Sequence, residues 1–439
     1  MSTSKHERVL LVGGGGREHA VARAVDRAAD ATLYACASNR NPGIDALAEE
    51  YHVVESETDP DAVVGVAQDV GATLAVVGPE APLQAGVTDA LDEAGIYAFA
   101  PKADEARIET DKRFQREFMR DEAIPGCPAF EAFEDADAAA DYVASVDHDV
   151  AVKPRGLTGG KGVRVTGDQL TQSEAVEYVR ESDYDEWVVE ERLVGEEFTV
   201  QAFVANGSVR TSPAVQDHKR AYEGDEGPNT GGMGSYTDAS FELPFMTEAD
   251  YDDAVEVIEA VVDAMPEYKG ILYGQFMLTA DGPKVVEFNA RFGDPEAMNT
   301  LPVLETDFVE LLRDARAGAD LPELAFDAQA TVCKYAVPAG YPTDPEAGAE
   351  VRIDEESAAE VGAQLFYASV DARDDGAVFT TTSRSFAVVG VADTIAAAEE
   401  LAEAALAEAG EEGLRVRHDI GKADLVQSRI DHMKQLRGE

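Results

Sequence analysis

The stretch Val285 to Glu296 carries the most pointed chemistry in this 439-residue chain. Glu287, Asn289 and Arg291 alternate there with Val286, Phe288 and Ala290. A β-strand sends successive side chains to opposite faces, so the polar trio shares one face and the apolar trio the other. A carboxylate beside an amide oxygen suits a hard divalent cation that also takes phosphate oxygens. Arg291 suits a planar anion, a carboxylate or a phosphate. Asp281-Gly282 is a hairpin turn signal, which makes Tyr273 to Leu278 the partner strand. An edge strand with one solvated polar side explains the same pattern, and this stretch alone does not choose.

Two glycine loops add to it. Val9 to Val12, then Gly13-Gly14-Gly15-Gly16-Arg17-Glu18, read as strand, loop and helix start, where free amides receive phosphate well. A dinucleotide fingerprint would place its third glycine at 18 or 19, which are Glu18 and His19. The acidic residue expected about 20 positions on is missing from Ala35 to Asn39. A phosphorylated small molecule held by the loop and Arg17 fits better than a nicotinamide cofactor. Gly78 to Leu83, at the end of the apolar strand Leu74 to Val77, closes the same region, since ligands collect at strand ends in open parallel sheets.

The second loop, Pro154 to Val163, has a phosphate-cradling composition of glycines and lysine. It is not a Walker A loop, because Arg155 and Gly162 stand where glycine and Ser or Thr are required. Lys112 and Arg113 open a helix near Ile108, basic against an acidic background. The strand Trp187 to Glu190 runs into a turn able to offer main-chain groups to a base and a carboxylate to ribose hydroxyls. Gln216 to Arg220 and Gly227 to Gly234 read as one long irregular loop, and long ordered loops are usually functional. Within it the Lys219-Arg220 pair beside Asp217 points to substrate; His218 is given no catalytic role.

Over the whole chain, 36 basic against 87 acidic residues give a net charge of −51. Nucleic acid and anionic membranes would be repelled. The acids are spread along the chain while apolar periodicity survives between them, which predicts a folded, very acidic surface suited to high salt. Cys36, Cys127 and Cys333 are isolated, and the histidines lack zinc spacing, so reduced thiols and a cytoplasmic setting are expected. Strands alternating with Ala-rich helices make residues 1–105 a parallel α/β domain. Residues 326–439 read as a smaller α+β domain, with strands at 330–337, 364–370 and 386–391 and a helix at 394–409.

Two glycine loops, dispersed lysines and a Glu-x-Asn strand together resemble the ATP-grasp superfamily. More closely the chain resembles the phosphoribosylamine–glycine ligase family. The matching stretches are Gly15 to Ala20, Val77 to Leu83, Gly159 to Val163, Gln216 to Arg220, Gly227 to Gly234, Glu287 to Glu296 and Arg417 to Gly421. They run end to end in the family's order. The resemblance implies an α/β chain: a Rossmann-like N-terminal domain, an ATP-grasp α+β domain over 106–325 with a small subdomain inserted at about 120–190, and a C-terminal α+β domain over 326–439. It implies ligation of glycine to 5-phosphoribosylamine with ATP, through glycyl phosphate, in purine biosynthesis. The non-catalytic nucleotide-binding protein and another carboxylate–amine ligase of the superfamily are the alternatives.

The resemblance also assigns residues. Glu287 and Asn289 would hold Mg²⁺ or Mn²⁺. Lys112, Lys153, Gly159, Gly160 and Lys161 would clamp the ATP phosphates. Glu190, Glu191, Leu193 and Glu197 would take adenine and ribose. Arg291 would meet the glycine carboxylate and Asp217 its ammonium, with Lys219 beside them. Gly15, Gly16, Arg17, Glu18, Pro79, Glu80 and Pro82 would hold the phosphoribosyl group, with Arg220, Asn229, Thr230, Gly231, Asp294, Pro295 and Glu296 completing the substrate side. A monomer is expected, with small molecules as its partners; transient contact with the preceding pathway enzyme stays open. Two departures stand out: Arg155 replaces an acid of the family, and Ser383-Arg384-Ser385 replaces Gly-Gly-Arg, so Arg384 is given no site role.

Overall fold

The computed structural model of the chain describes residues 6–157, 162–373, 375–410 and 413–439. Five parallel strands open it: β1 (Glu7–Val12), β2 (Ala31–Ala37), β3 (Glu50–Val53), β4 (Leu74–Val77) and β5 (Tyr97–Ala98), in the order β3-β2-β1-β4-β5. Val9 to Val12 are wholly buried, as a central strand covered on both faces must be. Because β1 and β4 are neighbours with Val12 opposite Val77, the loops that follow them meet at one edge. Strand β5 pairs with β4 only at Tyr97 and Ala98.

A small antiparallel sheet follows, built from β6 (Phe130–Phe133), β7 (Val150–Pro154), β8 (Arg164–Val165) and β9 (Trp187–Glu191), in the order β6-β9-β7-β8. Helices Ala136–Ser145 and Gln172–Glu181 cover it around a separate apolar cluster that includes Val143, Val152, Val179 and Trp187.

The chain then forms β10 (Glu196–Ala205), β11 (Ser208–Thr211), β12 (Gln216–Asp217), β13 (Arg220–Tyr222), β14 (Glu226–Asn229), β15 (Gly234–Thr237), β16 (Gly270–Thr279) and β17 (Gly282–Asn289). Strands β11-β10-β16-β17 make an antiparallel sheet. The segment expected to be irregular over 216–234 is in fact short ribbons: β13 pairs with β14, and β12 with β15. Strands of two to four residues are too short to show a period in sequence.

The hairpin β16–β17 forms as its turn signal predicts, with one correction. The register slips at Gln275/Phe276: Glu287 faces Gln275 while Val285 faces Phe276. Val286 is the extra residue of a β-bulge. Val285 and Phe288 therefore fill the core, and Val286 turns to the cavity instead of lying with Phe288.

The last region contains β18 (Ala330–Pro338), β19 (Glu350–Val351), β20 (Gln364–Tyr367), β21 (Val370–Ala372), β22 (Val378–Thr380) and β23 (Phe386–Ala392). Its main sheet runs β12-β15-β18-β23-β20, so β12 and β15 of the preceding region complete it. Helix Ile395–Ala409, capped by Thr394, packs on β18 and β23. Among the described residues no helix is long and apolar enough to cross a membrane.

Candidate active site

The face of β16–β17, the small sheet, the N-terminal loops and the C-terminal region enclose a cavity of roughly 510 Å³. Its wall includes Arg17, Glu80, Lys112, Lys153, Glu190, Glu191, Leu193, Glu197, Lys219, Asn229, Thr230, Gly231, Glu287, Asn289, Arg291, Asp294 and Glu296, all expected from sequence. Among the described residues seven cations (Arg17, Lys112, Lys153, Arg192, Lys219, Arg291 and Arg384) line it in a protein of net charge −51. Such a concentration of basic groups draws polyanions inward.

At one end, the helix expected from Ile108 is broken. Arg107–Thr110 stops, and Lys112–Asp121 restarts with Asp111 as its N-cap, accepting from the Phe114 amide at 3.1 Å. Arg155, the family departure, forks onto Asp111 at 2.9 and 2.6 Å and reaches Glu186 at 2.5 Å. The break puts Lys112 at the cavity, where its ammonium donates to the Gly156 carbonyl at 2.6 Å. Lys153 lies across from it, donating to the Val286 carbonyl at 3.1 Å and pairing with Glu190 at 2.8 Å. The Glu190 carboxylate is taken up by Lys153 and by Arg116, and its main chain runs between β6 and β7 in the sheet, so the turn after β9 is left to meet a base.

Glu287 and Asn289 stand side by side, the amide nitrogen 3.5 Å from the carboxylate. Burial pushes the Glu287 carboxyl up, yet Lys219, Lys112, Lys153 and Arg291 together hold it below its ordinary value. Opposite it, Gln275 donates to Glu197 at 2.8 Å and leaves its own amide oxygen buried without a donor. Among the described residues no group of three or more His, Cys, Asp or Glu makes a ready cation cage. The donor set here is instead one carboxylate with amide oxygens, which fits a cation completed by phosphate oxygens.

At the other end, Arg291 lies just beyond β17. It pairs with Glu109 at 2.9 Å and approaches Glu80 at 3.7 Å, and its Nε has no acceptor. Burial raises the Glu109 carboxyl to about 7 despite that guanidinium. Asp217 is buried, and neither of its oxygens accepts a hydrogen bond; the nearest cation is Lys219, at 3.3 Å. Burial, with Glu296 nearby, raises its carboxyl to about 7. A buried carboxylate lacking donors costs free energy until a donor arrives. Strand alternation sends Lys219 inward and Arg220 outward, where Arg220 pairs with Asp168 and the Gly227 carbonyl; Arg220 is not at the cavity wall. His218 points the other way as well, buried with both ring nitrogens unpartnered and driven down to about 3 by burial.

Around the N-terminal loop, the Gly15 amide donates to Glu18 at 2.7 Å and Arg17 to the Gly78 carbonyl at 2.9 Å. Asp217, Gly15, Gly16, Glu18, Pro79, Pro82 and Pro295 sit behind the wall instead of in it. At Gly16 a β-carbon would lie 2.4 Å from the Tyr335 hydroxyl, which donates to Asp294 at 2.5 Å. The expectation for Arg384 is corrected here. Its Nη1 donates to the carbonyls of Gly231, Gly232 and Asp294 at 2.7, 3.1 and 2.9 Å, and Arg384 lines the cavity. Gln275, Glu109 and Tyr273 were likewise not singled out from sequence; only the pairing of strands brings them in. Gly159, Gly160 and Lys161 fall outside the described residues.

Family models place this arrangement. Residues 7–109, 110–297 and 331–423 match the N domain, the ATP-grasp (A) domain and the C domain of phosphoribosylglycinamide synthetase. The chain belongs to that family. A phosphoribosylamine–glycine ligase of Methanosarcina barkeri is 53% identical over 442 residues, covering 98% of this chain and 100% of the relative. One of Methanopyrus kandleri is 50% identical over 449 residues, with coverage of 98% and 100%. Among solved structures, phosphoribosylamine–glycine ligase of Thermotoga maritima matches with a TM-score of 0.79 at 25% identity, covering 94% of this chain and 99% of that one. A biotin carboxylase of Campylobacter jejuni shares the fold, with a TM-score of 0.71 at 13% identity and coverage of 98% of each chain.

Proposed function

We propose that this chain is a phosphoribosylamine–glycine ligase, joining glycine to 5-phosphoribosylamine with ATP to give N1-(5-phosphoribosyl)glycinamide, ADP and phosphate. The observation that carries the reading is that Arg291, whose Nε lacks an acceptor, lines one cavity with Lys112, Lys153 and Lys219, while Asp217, buried behind Lys219 at 3.3 Å, has no hydrogen-bond donor on either oxygen. An ammonium supplies the missing donors while a guanidinium takes the carboxylate of the same small molecule, which is what an amino acid needs.

In this reading Lys112 and Lys153 bind the ATP phosphates, and the turn at Glu191 to Leu193 receives the base. Glu197, oriented by Gln275, accepts from ribose hydroxyls. Glu287 and Asn289, with Gln275 beside them, would hold Mg²⁺ or Mn²⁺, which would supply charge screening at the phosphates. Arg291 presents the glycine carboxylate to the γ-phosphate; attack gives glycyl phosphate and ADP. Phosphoryl transfer of this kind rests on positioning and charge neutralisation. Arg17 and the loops after β1 and β4 hold the phosphoribosyl group, with Asn229 to Gly231 and Asp294 flanking it. The amine then attacks the acyl carbon and phosphate leaves. The division near residues 105 and 325, a monomeric state and a cytoplasmic, high-salt setting belong to the same proposal.

The test is phosphate release from ATP in molar KCl, with glycine and freshly generated phosphoribosylamine added singly and together. Release that needs both substrates and a divalent cation is expected. Release with glycine and a different amine would keep the ATP-grasp chemistry and move the substrate. ATP binding without release under any salt condition would overturn the ligase.

A further inference from the structure

Arg116 lies one helical turn after Lys112, fully buried, on a helix whose other basic residues face solvent or the cavity. Its guanidinium forks onto Glu190 at 2.7 and 3.0 Å. The same group donates to the carbonyls of Val285 and Val286 at 3.1 and 2.7 Å, at the bulge of β17. Neighbouring Gln115 donates to the Phe288 carbonyl at 3.2 Å. The helix that carries Lys112 is thereby stitched to the strand that carries Glu287 and Asn289.

The charge arithmetic of this buried group is specific. Glu190 contributes one negative charge, and Arg116 and Lys153 contribute two positive ones. Of the three protons on the Lys153 ammonium, one goes to Glu190 at 2.8 Å and one to the Val286 carbonyl at 3.1 Å, leaving one to meet a ligand. Were Arg116 absent, the sole counter-ion of Glu190 would be Lys153, and a buried pair of that kind resists giving up its cation.

We propose that Arg116 is a positioning residue for ATP: it neutralises Glu190 so that the charge of Lys153 stays available to the phosphates, and it fixes the bulge that aims Glu287 into the cavity. The inference rests on the ATP-binding reading above. It concerns the triphosphate and not the base, which separates it from a general role in folding.

Calorimetric titration of the whole protein in molar KCl tests it, with ATP and with adenosine as ligands. Wild-type protein that binds no ATP would defeat the functional reading itself and is scored separately. With R116M, ATP affinity should fall about tenfold or more, the size of one charge-assisted hydrogen bond, while adenosine affinity changes by less than about threefold. Adding E190Q to R116M removes the anion that captures Lys153 and should recover most of the ATP loss. R116K, which keeps the charge and loses the fork, should fall between wild type and R116M. Equal losses for ATP and adenosine, or a double variant no better than R116M, would overturn the proposal. Should R116M fail to fold, the double variant decides alone: ATP affinity within about threefold of wild type supports the inference, and a tenfold loss in folded protein rejects it.

Discussion

Replacing Asp217 by Asn should make the free protein more stable and the enzyme nearly inactive. Burial raises the Asp217 carboxyl from 3.8 to about 7 in the folded chain. Each unit of such a shift corresponds to about 1.4 kcal/mol, so the charged form costs about 4 kcal/mol above pH 7. The attraction of Lys219 is already contained in that value, so D217N should gain up to about 4 kcal/mol at pH 8. The sign follows from proton binding. Between about pH 4 and 7 the folded carboxyl keeps a proton that the unfolded one has released, so stability falls as pH rises through that window. Below it both forms are protonated and the contribution vanishes. Urea unfolding at pH 8 and at pH 4, in matched KCl, reads both limits. D217N should be the more stable protein at pH 8 and equal to wild type at pH 4. Glycine-dependent phosphate release should fall by about tenfold to a hundredfold, since a charge-assisted bond to the ammonium is lost. A variant less stable than wild type at pH 8, or a gain independent of pH, would refute the reasoning.

Three other outcomes follow from the same geometry. E287Q should lower turnover by about a hundredfold or more in a protein that still folds, with a modest drop in melting temperature as four cations lose their anion, and Mn²⁺ titration should show weakened divalent-ion binding; wild-type turnover would reject the ligand assignment. R384M strands three carbonyls that Arg384 now serves, at a cost of about 3 kcal/mol or more. R384K should rescue it in part, because all three carbonyls gather around one guanidinium nitrogen whose place an ammonium can take, while the second nitrogen's approach to the Asp294 carboxylate at 3.4 Å is lost; melting temperatures and turnover of the two variants decide. With a net charge of −51, the melting temperature should climb as KCl is raised from low salt to molar levels, and a flat response would remove the high-salt interpretation.

Much of the site was legible because its signals are local. Period-2 alternation and a turn signal predict the β16–β17 hairpin, and glycine after a buried strand predicts the phosphate-side loops. What failed to show depends on pairing at a distance. Nothing in Val285-Val286 marks a register slip; the bulge exists because β17 must meet β16 at both Gln275 and Phe276. Glu190 looks like a free carboxylate until Arg116, 74 positions away, is folded onto it. Arg384 looked displaced from its family motif, yet the sheet that holds β23 brings it to Gly231 and Asp294. The ribbons over 216–237 read as loop because each strand is shorter than one detectable period.

The sheet shared by β12, β15 and β18 has a consequence for how such a protein is inherited and rebuilt. A boundary near residue 325 can be drawn on the sequence, but hydrogen bonds from Gly234–Thr237 to Thr331–Lys334 cross it. The strand bearing Asp217 hangs on that junction through β15. Severing the chain there would open a raw edge on both pieces and unmoor the amino-acid end of the cavity. The C-terminal region is therefore not a cassette that recombination can trade between relatives. Grafts that respect the fold must carry residues 216–237 along with it, and chimaeras joined at 325 should assemble only where both halves descend from closely matched parents.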